Sequence, residues 1–370
     1  MRQLASIQKV KSIKPIAKAD LIVQIEILGW TCVAKKNEFN EGDLCVYFEI
    51  DSLLPEREEY EFIRKKCWNL RLKRYQIKTC QLLGIVSQGL AIPVHRLQKY
   101  FPDELILSEG IDVTHFLEVE KMKEPEPETA RPGDINLYFN WPIAKTDEPR
   151  IQSKPKIRNL LEGKPYYISV KMDGTSVSFI YNVTKNKSLK QIDTERHFHV
   201  CSRNNEIIRS PDNLYWDIAI RYNIEQILEN HYNRTQAQSQ DENEMGESLS
   251  IQGEICGPKI QNNPLNLAKR ELFIFNIVDT KKNKRLSYQK MIELIQKYNL
   301  PLVPILETGD MFSYQNEELF KLCHNHYANF ILTAKPTTLI EGIVVRDQEN
   351  TTSFKVINNE YLLRGTPPPF

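Results

Sequence analysis

The chain has 370 residues, with 49 Lys and Arg against 48 Asp and Glu and a formal net charge of +1. That length accommodates two domains, and 41% apolar with 26% charged residues is an ordinary globular balance. The near-neutral charge excludes a global basic field, so any nucleic-acid surface has to be a local patch. Seven cysteines are scattered without a CxxC pair, which disfavours a structural zinc site or a disulfide framework and suits a reducing cytoplasm. The opening stretch MRQLASIQKVKSIKP has no long apolar run, unlike a signal peptide, and no segment approaches the ~20 apolar residues of a membrane span. The expectation is a soluble cytoplasmic protein that keeps away from membranes, with no obligate protein partner evident.

In chain order, the first part reads as β-rich. Leu21, Val23, Ile25 and Ile27 alternate onto one face. After a Gly42-Asp43 turn, Leu44, Val46, Phe48 and Ile50 do the same. QLLGIVSQGLAIP is a third candidate, broken by Gly84 and Gly89 where a bulge or barrel corner fits. Several short strands in this span predict a small β-barrel domain over 1–125. The Glu- and Pro-rich stretch 119–134 cannot be a helix interior or a central strand; a linker over 126–139 separates the barrel from a second domain over 140–370.

The second part mixes strands and helices, an α+β pattern. Strands are predicted at 166–170, 175–181, 248–256, 271–279, 340–346 and 351–357. One helix, SYQKMIELIQKYNL, sets Met291, Leu294, Ile295 and Tyr298 on one stripe behind a Ser287 cap. Another is predicted over 212–230, after Ser210-Pro211. The polar stretch 234–248 reads as a mobile loop. His197 and His199 share a strand face but lack a third ligand, so they read as structural rather than metal-binding. The cysteines read as small core residues.

The segment SVKMDGTSVSFIY (169–181) sets Lys171 at a strand end, followed by Asp173 and Gly174. A lysine is a poor nucleophile while protonated, with an ordinary pKa of ~10.4; burial and nearby cations lower that value. A neutral amine could then attack phosphorus and split one hard displacement into two easier ones. Asp173 and Gly174 would hold the turn that aims it.

Further elements follow in order: CSRNNE (201–206), IQGEICGP (251–258), ELFIFNIVD (271–279), IEGIVVRD (340–347) and SFKVIN (353–358), with PIAKTDEPRIQ (142–152) upstream. This set, over about residues 140–358, resembles the covalent nucleotidyltransferase superfamily of ATP-dependent RNA and DNA ligases and capping enzymes. The resemblance implies an ATP-grasp-like ligase domain of antiparallel sheets and helices, with ATP and Mg²⁺ or Mn²⁺ as cofactors. It makes Lys171 the adenylylated nucleophile. It sets Arg203 near the ribose and reactive phosphate, where a planar guanidinium suits phosphate oxygens, and Glu254 on the ribose hydroxyls. Phe273 and Phe275 lie on one face by alternation, and one of them, best matched by Phe275, stacks on the purine. Glu341, with Glu254, is assigned to the divalent cation, through waters if it is Mg²⁺. Lys355 contacts the α-phosphate, and Arg150 neutralises the outgoing pyrophosphate. Many relatives carry a second lysine where this chain has Ile357, so that duty is unassigned.

The N-terminal part looks like the OB domain of the RNA ligase branch that places this module before the catalytic domain. The chain ends 15 residues past Lys355, which leaves no room for a following OB domain as in DNA ligases and capping enzymes. The resemblance therefore implies a ligase that joins a 3′-OH to a 5′-phosphate, with RNA ends or a nicked duplex as partner and RNA repair as the role. Residues 64–78 (RKKCWNLRLKRYQIK) contribute seven Lys or Arg and no acid, with Trp68 and Tyr75 interleaved. Arg64, Lys65, Lys66, Arg71, Lys73 and Arg74 with Trp68 suit backbone contacts and base stacking; the same pattern also fits a solvated helix face over two core aromatics. Three rivals are weighed: a capping-type guanylyltransferase or DNA ligase, an OB-type RNA-binding protein with an inert second domain, and a translation-type OB binding module with the rest a scaffold, which leaves the six motifs unexplained.

Overall fold

The computed structural model describes residues 3–122, 134–136, 139–145, 147–187, 192–210, 212–239 and 245–363. The chain forms two compact units: Met1–Pro125 with Arg150–Lys156 and Asn359–Phe370, and Glu126–Pro149 with Ile157–Asn358. The sequence placed 150–156 and 359–370 with the second domain. They cluster with the first because the Gly29 N–H donates to the Gln152 carbonyl at 3.0 Å, and Leu362 packs on that unit's core. A Cβ on Gly29 would lie 3.0 Å from Gln152 Cα, so the approach depends on glycine. Most of the stretch read as a linker lies outside the described residues.

The first unit is a curled antiparallel half-barrel. Its five-stranded sheet holds β1 (Ala5–Pro15), β2 (Ile22–Ile27), β3 (Trp30–Lys35), β4 (Leu44–Phe48) and β5 (Leu90–Pro93), in the order β5-β4-β1-β2-β3. Leu21 lies outside β2 and is exposed, whereas Ile25 and Ile27 are fully buried. β4 is buried on both faces: Val46 and Phe48 enter one core, Cys45 and Tyr47 another. Alternation therefore marks no solvent face on this central strand. The Gly84 stretch folds as a small hairpin, Cys80–Leu82 against Ile85–Ser87, before β5.

The second unit has two antiparallel sheets. β6 (Tyr166–Lys171), β11 (Ile305–Gly309), β12 (Gly342–Asp347) and β13 (Ser353–Ile357) form the smaller, in the order β11-β6-β12-β13. β7 (Thr175–Lys187), β8 (Ile192–Cys201), β9 (Leu249–Cys256) and β10 (Glu271–Asp279) form the centre of the larger, in the order β8-β7-β9-β10. β11 was absent from the strands read from sequence, and of β8 only the face shared by His197 and His199 was read as strand.

One face of the larger sheet, with Val177, Phe179, Ile251, Ile255, Leu272 and Ile274, is covered by α1 (Leu214–Arg221), α2 (Ile224–Ala237) and α3 (Tyr288–Lys297). α3 follows its apolar stripe, with Met291, Leu294 and Ile295 buried, and Ser287 accepts the Lys290 N–H. The single helix expected over 212–230 is two helices, because Asn223 adopts a left-handed conformation (φ 52°) between them, which Asn tolerates better than most residues. α2 then runs to Ala237, into the stretch read as loop; residues 240–244 lie outside the described residues. Among the described residues no helix is long and apolar enough to cross a membrane.

Candidate active site

β6 ends at Lys171 in the smaller sheet, and after three intervening residues the chain enters the larger sheet as β7. The other face of that larger sheet carries the cross-strand pair Ser176 and Glu254, and next to Glu254 across the strand lies Phe273. The nucleophile candidate therefore stands where the chain passes from one sheet to the other. Gly174 makes this crossing possible through space rather than through a left-handed angle: a Cβ there would lie 2.3 Å from the Ile255 carbonyl oxygen. Gly342 plays the same part beside Glu341, where a Cβ would lie 2.2 Å from the Val356 carbonyl oxygen.

The Lys171 ammonium donates to Glu341 Oε2 at 2.5 Å, with both side chains mostly buried. Burial works against the ammonium, but the carboxylates of Glu341, Glu254 and Asp173 outweigh it and hold the pKa above the ordinary lysine value. This corrects the expectation of a lowered value: three carboxylates surround the amine where sequence reasoning looked for cations. Burial, reinforced by Glu341 and Asp173, pushes the Glu254 carboxyl up to about 8 against the pull of Lys171 and Arg203. The cluster thus holds more acid than base, an arrangement suited to a bound cation.

Among the described residues no group of three or more His, Cys, Asp or Glu is placed to hold a metal ion directly. Glu254 and Glu341 offer hard oxygen donors, and Mg²⁺ commonly keeps its waters while using one or two carboxylates and phosphate oxygens. The pair fits that mode of binding.

Lys355 and Arg203 converge on one acid. Asp147 Oδ1 lies 3.1 Å from Lys355 Nζ and 3.6 Å from an Arg203 nitrogen. Arg203 is presented by a tight turn in which the Ser202 N–H donates to the Asn205 carbonyl at 2.8 Å. Neighbouring Glu148 is largely buried and pairs with Arg346 and Arg285 at 3.1 Å each, while the Ser353 hydroxyl donates to it. Burial opposes its charge, but the two guanidiniums hold its carboxyl below the usual range. Sequence reasoning missed Asp147 and Glu148, although both stand inside the quoted PIAKTDEPRIQ. Ile357, in place of a second lysine, is buried opposite Gly342 in the ladder.

Phe273 and Phe275 do not alternate simply. A register shift between Gln252 and Gly253 leaves Phe275 unpaired in β10, and the Arg346 guanidinium lies 5.9 Å from its ring. A bulge of this kind breaks the period-2 rule. Arg150 clusters with the first unit, where it pairs with Asp51 at 3.2 Å. His199 pairs with Glu206 at 2.5 Å, and His197 with Glu195 at 3.4 Å.

The basic stretch of the first unit is a short helix, Arg64–Cys67, and then a hairpin, Trp68–Asn69 against Arg74–Gln76. Acids from elsewhere reach two of its cations: Arg64 pairs with Glu56 and Glu61 at 2.5 Å each, and Arg74 with Glu120 at 2.8 Å. Trp68 is partly buried, edge-on to the buried Tyr75, with the Arg64 guanidinium 4.2 Å from its ring. Lys65, Lys66, Arg71 and Lys73 are exposed, as is Leu70 at the hairpin tip.

A family model described as RNA ligase matches residues 164–357, and one described as an OB-fold domain matches residues 4–94. Among solved structures, the chain is similar to Naegleria gruberi RNA ligase in several states. A variant of that ligase with AMP and Mn matches at a TM-score of 0.82 and 29% identity, over 98% of each chain. A variant with ATP and Mn matches at 0.81 and 30% identity, over 97% of this chain and 98% of that one. The same ligase with PPi matches at 0.81 and 29% identity, over 99% of each. No curated protein matches the chain.

Proposed function

The chain belongs to the RNA ligase family and is an ATP-dependent RNA ligase; from that premise we propose that it seals a 3′-OH to a 5′-phosphate at nicks whose 3′-OH strand is RNA, in cytoplasmic RNA repair. Lys171 Nζ attacks the α-phosphorus of ATP. The N–P bond forms as the bond to pyrophosphate breaks, and AMP is left on the amine. The amine first gives up a proton, and Glu341 Oε2 at 2.5 Å is the nearest acceptor. AMP then passes to the RNA 5′-phosphate, and the 3′-OH displaces it.

The other residues follow from their positions. Lys355 and Arg203, already gathered about the Asp147 carboxylate, take phosphate oxygens, and electrostatic positioning of this kind dominates phosphoryl transfer. Asp173 and Gly174 hold the turn after Lys171. Glu254 receives the ribose hydroxyls and, with Glu341, holds Mg²⁺ or Mn²⁺. A bound divalent ion supplies Lewis-acid neutralisation of phosphate charge. Phe275 or Phe273 stacks on adenine. Arg150 takes the outgoing pyrophosphate on the strength of its sequence motif alone. The exposed cations among residues 65–73 bind RNA phosphates.

The observation that supports this reading most strongly is a mostly buried amine 2.5 Å from the Glu341 carboxylate at the crossing between two sheets, with Glu254 and Asp173 near enough to act on its charge. The test is incubation with α-labelled ATP and a divalent cation, followed by denaturation. Label on Lys171 is the expected result; nucleotide binding by the folded protein without any covalent label would overturn the reading. Labelling with GTP but not ATP would favour the capping-type rival.

A further inference from the structure

Lys171 and Glu341 sit where a ladder runs out. The last rung between β6 and β12 pairs Lys171 with Gly342, so Glu341 lies one residue beyond it. At that point the Tyr327 hydroxyl takes the place of a strand. It donates to the Lys171 carbonyl at 2.9 Å and accepts the Glu341 N–H at 3.4 Å. The Glu341 carbonyl in turn accepts the Asn358 N–H at 3.0 Å, so the backbone of Glu341 is held from both sides.

Tyr327 is itself well fixed. It is fully buried, its N–H donates to the Thr338 carbonyl at 2.8 Å, and His326 beside it bridges Leu339. The tyrosine closes the neck of the loop between 327 and 338. One oxygen atom therefore ties the backbone of the amine to the backbone of its carboxylate partner. No motif in the sequence marks this residue.

We infer that Tyr327 is a positioning residue for lysine adenylylation, setting the backbone separation of Lys171 and Glu341 through its hydroxyl. The inference rests on the reading of Lys171 as nucleophile. Attack needs the amine within about 3–3.5 Å of phosphorus and in line, and a displacement of about 1 Å can cost about 100-fold in rate. Removal of the hydroxyl leaves the part-buried Lys171 carbonyl and Glu341 N–H without this partner, which favours local rearrangement.

The test is Tyr327→Phe, which keeps the ring in place and removes only the oxygen, with Tyr327→Leu as a second variant that also removes the ring. Single-turnover adenylylation is followed by intact mass over a range of ATP concentrations, with thermal melting alongside. The expected result for Tyr327→Phe is a maximal rate lowered about 10- to 100-fold, an unchanged half-saturating ATP concentration and a retained cooperative melt. Tyr327→Leu should also lose stability. A wild-type maximal rate in Tyr327→Phe, or a loss confined to half-saturation, overturns the inference; so does a Tyr327→Phe protein that fails to melt cooperatively, since the ring environment rather than the hydroxyl contacts would then dominate. The wild-type protein separates the two readings: if it takes no adenylate, the nucleophile assignment fails; if it does and Tyr327→Phe matches it, only the positioning role fails.

Discussion

Two buried ion clusters in the second unit make opposite use of charge. At Lys171 one ammonium faces Glu341, Glu254 and Asp173. At Glu148 one carboxylate faces Arg346 and Arg285 and accepts from Ser353. In the first, burial, reinforced by Glu341 and Asp173, pushes Glu254 up to about 8; the second stabilises its single carboxylate as an ion. Charged groups taken out of water are costly unless paired. The Glu148 cluster has a guanidinium to spare, whereas the Lys171 cluster has acid to spare and suits a cationic ligand. A perturbed carboxyl in an unbalanced cluster points to function more strongly than burial does.

Substitutions that break each cluster should read out in different currencies. Lys171→Ala should abolish adenylate transfer to the protein, seen as no added AMP in the intact mass, while the cooperative melt is retained. Glu148→Gln should act on stability instead. Breaking a buried pair from one side costs about 3–5 kcal/mol, measurable as a lowered urea midpoint.

The same variant sharpens the comparison by pH. The Glu148 pKa lies below its unfolded value, so its contribution is present above the ordinary carboxyl range and lost as pH falls through the folded value. Glu148→Gln should flatten that part of the acid limb; an unchanged limb would place the acid sensitivity elsewhere. Glu341→Gln should lower adenylylation about 10- to 100-fold and raise the divalent concentration needed, whereas Glu148→Gln should leave that dependence alone.

The smallest effects belong to the first unit. Arg71→Ala and Lys73→Ala should leave adenylylation unchanged and lower the salt slope of duplex binding by ~0.7–0.9 per cation. Arg64→Ala should move that slope less, since its guanidinium is already committed to Glu56 and Glu61. A larger effect from Arg64 would make that pairing a resting arrangement displaced by RNA.

Much of the candidate site was legible along the chain, because its residues occupy short motifs whose spacing is local. Lys171, Asp173 and Gly174 share one turn, and Glu341 stands directly before Gly342. α3 was legible because its Met291, Leu294 and Ile295 stripe is a local period with a local cap. The β10 alternation misled, since the shift at Phe275 is set by pairing with β9 and leaves no mark in composition. In the basic stretch the partners of two cations were illegible for a similar reason: the acids that reach Arg64 and Arg74 come from positions 56, 61 and 120.

The amino-acid order alone therefore determined which residue types the candidate site offers and in what succession, since a candidate nucleophile, its turn and its glycine are neighbours on the chain. Tertiary structure decided the sign of the lysine's pKa shift and the partner of each cation. It also decided the place of Tyr327, 156 positions from the carbonyl it holds. Electrostatic energy depends on distance through space, and folding sets those distances by pairing strands that are remote in sequence.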